Sequence, residues 1–178
     1  MFKHLELNHD PDLKTKNQDG KRYYVTPEGE LYPSVTTVTS LLSKDAILKW
    51  RKRVGAKEAN KISGQASRRG TKVLKLCEDY VNNNDIDFNK VEPVNQIRPE
   101  LDKHLEGIYG VELALYSDYL KVGGRVDLVG IWDGKPSIID FKTSSKAKRH
   151  EWVHGNFMQE AAYAVMFEER YQIPINRL

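Results

Sequence analysis

The sequence predicts one α/β domain in which helices precede and follow a meander of strands. Three observations lead there. The chain has 178 residues, enough to bury a core without crosslinks. Apolar residues recur at helical spacing up to about residue 108 and again from Glu151, but alternate as in strands between Val111 and Thr143. Between two of the apolar runs lies Asp133-Gly134, a dipeptide favoured in two-residue type I′ turns. Residues 1–178 form a single domain with three parts, an N-terminal part (1–43), a basic helical part (44–109) and a strand-rich part (110–178). There are no repeats, no low-complexity tract and no linker.

The elements follow in order. Arg22–Thr26 and Glu30–Tyr32 flank Pro27-Glu28-Gly29 as a β-hairpin. Pro33 stops the strand, and Ser34 caps a short helix through Val38, Leu41 and Leu42. Asp45 is expected to cap a second helix, Ala46–Val54, and a third runs from Ala56 through Gly64 to Val81. Asn82–Asp85 is a turn cluster, and a helix covers roughly Pro99 to Ile108. Strands are then expected at Val111–Leu120, Arg125–Trp132 and Ser137–Thr143, and a last helix at Glu151–Tyr171.

Composition narrows the class. Charged residues make up 30% and the hydrophobic set 39%, a globular balance rather than a disordered one. Cys77 is the single cysteine, which excludes a disulfide framework, a Cys₄ zinc site and a cysteine-ligated iron–sulfur cluster. No apolar run reaches membrane-spanning length, and Met1–Leu7 has neither a signal core nor an acid-free transit character. An intracellular, non-secreted protein is expected. The net charge of +3 conceals a segregation, because residues 44–75 carry eleven Lys/Arg against only Asp45 and Glu58. Such a stretch is either a solvated helical face or a polyanion-binding one.

The Asp133-Gly134 hairpin decides between these readings. Partners across a two-residue turn have numbers summing to 267, so Asp127 faces Asp140, at a position where side chains lie closest. Their Cβ atoms are expected roughly 4.5–5.5 Å apart. Lys142, two residues on, shares that face. Like charges placed opposite each other destabilise a sheet, and these strands are otherwise apolar, so the pair needs a cation or a shared proton. Mg²⁺ or Mn²⁺ with oxygen ligands fits best. The ordinary alternative is a one-residue slip that leaves a carboxylate at a strand end. Pro136 stands opposite Ile131, where its missing N–H is tolerated.

These residues carry a resemblance. Gly124-Arg125-Val126-Asp127, Ile139-Asp140-Phe141-Lys142-Thr143-Ser144 and Gln159-x-x-x-Tyr163 together resemble the PD-(D/E)xK nuclease superfamily, in its RecB-like exonuclease branch. Asp140–Lys148, Pro33–Thr37 and Lys49–Arg53 are similar to the group containing the mitochondrial genome maintenance exonuclease and its phage relatives. The resemblance implies a restriction-endonuclease-like fold, a mixed central sheet flanked by helices, and metal-dependent hydrolysis of DNA. It implies Asp127, Asp140 and the Phe141 carbonyl as metal ligands and Lys142 as the catalytic lysine. Gln159 and Tyr163 would contact the DNA end or support the site. Arg51, Lys52, Arg53, Arg68, Arg69, Lys72, Lys146 and Lys148 would hold DNA.

Two positions stay open. Glu112, on the preceding strand, either ligates metal directly or through water, or faces solvent. Leu74 stands where the family pattern Arg-Gly-x-x-x-His, here Arg69–Leu74, places a metal-binding histidine. Leucine cannot ligate, so the chain works with a reduced ligand set, is impaired, or carries a deliberate substitution; as plain structure, Leu74 would join Cys77 and Val81 in a core stripe. Glu78, one turn on, is a possible replacement. Relatives continue past the last helix into another strand, so Ile173–Leu178 is expected to be a short edge or the start of one cut short.

The expectation is a DNA exonuclease acting at single-stranded ends, in the cytoplasm of a bacterium or phage-infected cell. The alternatives are an endonuclease of the same superfamily, or a weakened or inactive DNA-binding protein of that fold.

Overall fold

The first strands of the chain form a small sheet of their own. A computed structural model describes residues 1–8, 12–86, 92–144 and 153–178. Strands β1 (Thr15–Gln18), β2 (Lys21–Val25) and β3 (Leu31–Pro33) pair antiparallel in the order β1-β2-β3. The expected hairpin is β2–β3, with Tyr24 opposite Tyr32. β1 is an addition. Its turn, Asp19-Gly20, has positive φ at both residues (51° and 71°), the same signature as Asp133-Gly134 at 49° and 71°. All four β1 residues are exposed, so no apolar alternation marks the strand.

Helix α1 (Val35–Val54) starts where expected, with Ser34 accepting the Thr37 N–H at 3.1 Å. It runs unbroken through Asp45, so the separate helix capped by that residue does not exist. No Pro or Gly interrupts residues 35–54, and good helix formers flank Asp45. Gly55 ends α1 with φ 83° and donates its N–H to the Arg51 carbonyl. Helix α2 (Ala56–Val81) follows at once, and Gly64 does not break it.

Helix α3 is Glu92–His104 rather than Pro99–Ile108, and it contains Pro99 in its interior. Strand β4 (Leu105–Ser117) claims the residues expected to end that helix. Leu105 and Ile108 are buried with Leu128, and their backbones ladder onto strand β5 (Val122–Trp132), so tertiary pairing overrides the local signal. β4 stops at Ser117, short of Leu120. Strand β6 (Lys135–Ile139) is shorter than expected and ends before Asp140. The register is the expected one, from Trp132↔Lys135 through Ile131↔Pro136 to Leu128↔Ile139. Helix α4 (His154–Tyr171) ends at Gln172, whose φ is 56°.

Sheet β4-β5-β6 is antiparallel, and its edges take parallel bridges from both ends of the chain, His4–Ile108 and Ser137–Arg177. The Ile173–Leu178 segment therefore does approach β6. Ile138 donates to the Arg177 carbonyl at 3.1 Å, and Asn176 donates to the Pro136 carbonyl at 2.9 Å. Helices cover both faces. Val129, Ile138, Tyr163, Met166 and Phe167 pack between the sheet and α4, while Leu128 faces Leu101 and Val81 of α3 and α2. This is the mixed α/β, helix-flanked architecture the sequence led us to expect.

Candidate active site

Asp127 and Asp140 meet where the β5–β6 ladder ends. Ile139 pairs with Leu128, making Asp140 the first residue beyond the ladder. There a side chain takes over from the ladder: Asp127 Oδ2 accepts the Phe141 N–H at 2.8 Å. The Asp140 side chain is only 1% exposed. Neither of its oxygens has a hydrogen-bond partner among the described residues, and Oδ2 meets only the Lys142 ammonium, as an ion pair. A buried carboxylate with an unpartnered oxygen is costly unless a cation completes it.

The surroundings add negative charge. Burial, and then the Asp140 charge, push the Asp127 carboxyl up to about 6, against the pull of the Phe141 N–H and Lys142. Glu112 lies between Val111 and Leu113, whose partners Leu128 and Val126 flank Asp127 on β5. It is half-buried, with φ 50°, so it is not a freely solvated strand residue. Burial, then Asp127 and Glu78, push its carboxyl up to about 7, while Arg125 opposes. Burial and then Asp140 also raise Glu160 of α4. Glu112, Glu78 and Glu160, from three further segments, are thus each within electrostatic reach of Asp127. Among the described residues no three His, Cys, Asp or Glu side chains converge on a metal position. A buried carboxylate pair of this kind suits a hard divalent ion such as Mg²⁺ or Mn²⁺, because such ions keep several waters.

A cleft of about 570 Å³ leads to Asp140, lined by Arg69, Val73 and Cys77 of α2, Gln96 and Ile97 of α3, and Phe141–Ser144. Gly70 lies beside Thr143, with its Cβ position 3.8 Å from Thr143 Oγ1. Two turns further along α2, Glu78 is within electrostatic reach of Asp127. Leu74 sits midway on that same face. The core-stripe expectation for it fails: Cys77 packs with Val73 and Val94, and Val81 with Leu101 and Ile108, while Leu74 is half-buried and in neither group.

Gln159 and Tyr163 share a face of α4, and Gln159 Nε2 donates to Tyr163 Oη at 3.1 Å. The Tyr163 ring is buried on the backbone of Gly124, where a Cβ would lie 2.4 Å from Tyr163 Cε1. Burial raises its phenol strongly. The basic candidates divide. Arg69 lines the Asp140 cleft, whereas Arg68 and Lys72 line a separate depression of about 490 Å³ with Lys75. Arg51 donates to Asn60 Oδ1 at 2.7 Å, and Lys52 and Arg53 are exposed beside it. Lys146 and Lys148 lie outside the described residues. Glu160 and the close fit at Gly124 escaped the sequence reading; nothing in the spacing of α4 marks Glu160.

Residues 41–175 match the family model of the PD-(D/E)XK nuclease superfamily. That span holds both aspartates, Lys142, Gln159, Tyr163 and the basic part of α2. No curated protein matches the chain.

Proposed function

The chain belongs to the PD-(D/E)XK nuclease superfamily, and from that premise we propose that it is a metal-dependent DNA exonuclease of the RecB-like branch, acting at single-stranded ends. The observation that carries the reading is Asp140, buried, with an unpartnered oxygen, beside Asp127 and at the end of a cleft with Arg69. Asp127, Asp140 and the Phe141 carbonyl would hold the ion. When bound, Mg²⁺ or Mn²⁺ supplies Lewis acidity to the scissile phosphate and lowers the pKa of a coordinated water.

The chain's own groups do the rest. Lys142, ion-paired with Asp140 and partly exposed, turns its ammonium to the phosphate and offsets the charge that develops there. Arg69 holds a neighbouring phosphate at the cleft wall. Glu112, half-buried and electrostatically linked to Asp127, would accept a proton or reach the ion through water. The Gln159–Tyr163 pair backs the site from α4. The resemblance to phage relatives supports a cytoplasmic setting, and among the described residues no helix is long and apolar enough to cross a membrane.

End dependence is tested with linear and covalently closed circular single-stranded DNA in Mg²⁺. The reading expects the linear strand to be degraded and the circle spared; a cut circle means an endonuclease. Leu74, which cannot ligate and lies on the α2 face between Gly70 and Glu78, favours a second reading, a DNA-binding protein with weak catalysis. It expects binding without cleavage, and cleavage gained by Leu74→His.

A further inference from the structure

The outer face of the N-terminal sheet carries chemistry that the cleft does not use. Cross-strand pairing assigns each residue a side. Tyr24 stands opposite Thr15 and Tyr32, and Leu13, Tyr24, Thr26 and Tyr32 are buried against the body. Lys16, Lys21 and Tyr23 therefore point the other way. Lys14 joins them, since its carbonyl accepts the Val25 N–H and continues the same register. Lys16 lies directly opposite Tyr23, and Lys21 opposite Gln18. The three lysines are exposed and Tyr23 is half-buried. Val25, Leu31 and Pro33 complete this side, whose paired positions hold no acid among the described residues. No ion pair or side-chain hydrogen bond engages the three ammonium groups among the described residues.

We propose that this face is a second DNA-contact surface, a platform on which single-stranded DNA rests before it reaches the cleft. The lysines hold phosphates and Tyr23 stacks on a base, a combination suited to unpaired strands because the bases of a duplex are already stacked. The platform is fixed to the catalytic strand. Tyr24 packs on Gly123 of β5, where a Cβ would lie 2.7 Å from the Tyr24 Cβ, and Ser34 bridges to the same glycine. Asp127 follows four residues later on β5, about 13 Å along the strand. The choice of DNA as occupant rests on the nuclease reading; the surface rests on the register.

The test is fluorescence anisotropy of a labelled oligo(dT) of roughly 30 nucleotides, in EDTA so that nothing is cleaved, titrated with NaCl. The triple variant Lys14→Gln/Lys16→Gln/Lys21→Gln is expected to flatten the slope of log K against log salt by about 2. Tyr23→Ala is expected to weaken binding about tenfold and Tyr23→Phe to retain it. Thermal midpoints equal to wild type confirm that the variants are folded. Wild-type slope and affinity in all of them, with Arg69→Gln weakened, overturn the platform and leave the nuclease reading standing. Equal losses on duplex DNA overturn its single-strand character. No binding by the wild type overturns both.

Discussion

Among the described residues, Lys142 alone pairs with the buried Asp140 carboxylate. Asp140→Asn is therefore expected to raise the thermal midpoint of the metal-free protein while lowering cleavage at least about a hundredfold; calorimetry in EDTA and an activity assay check the two halves. Asp127 and Glu112 add a pH dependence. Their folded values, about 6 and about 7, lie above ordinary carboxylate values. A raised acid favours the folded state below its unfolded pKa, and that contribution disappears as pH rises through the folded value. Metal-free protein should lose thermal stability between about pH 4 and 7, and Mg²⁺ should restore it at the upper end, where protons no longer compete. The aspartate pair was legible because a type I′ turn fixes register by counting. Glu160 was not, and Glu78 entered only as a stand-in for the missing histidine, because they arrive from α4 and α2, and helical spacing does not tell which sheet position a helix will face.

At the scale of elements, packing against β5 sets the geometry. Tyr163 reaches its place only because Gly124 has no side chain. Gly124→Ala is expected to cost about 1–3 kcal/mol by urea unfolding, since a ring and a backbone must separate. α2 offers the converse case. Leu74 lies on the face that runs from Gly70, beside Thr143, to Glu78, near Asp127. Leu74→His should thus tighten Mn²⁺ binding in calorimetric titration, with a gain of about tenfold or more. The sequence located α2, β2, β3, β5 and the start of α1 well, because caps, glycines and turn dipeptides mark them. It misplaced the α3–β4 boundary, where Leu105 and Ile108 look helical in isolation and become strand only by pairing with β5.

Over the whole molecule, charge is sorted by task. The +9 of residues 44–75 lies in α1 and α2, and Asp140, with Asp127 beside it, lines the cleft that α2 borders. Arg69 faces the cleft, but Arg68 and Lys72 face another depression, a division that charge density along the sequence does not reveal. DNA affinity should fall steeply with salt, with a logarithmic slope of about −0.7 for each phosphate neutralised on a single strand. The most direct measurement is digestion of end-labelled linear single-stranded DNA in Mn²⁺ by three proteins, the chain itself, Leu74→His and Asp140→Ala. The first is expected to cleave, the second to cleave at least equally, and the third not at all. Cleavage that survives Asp140→Ala, or its absence from both of the others, would contradict a nuclease centred on Asp140.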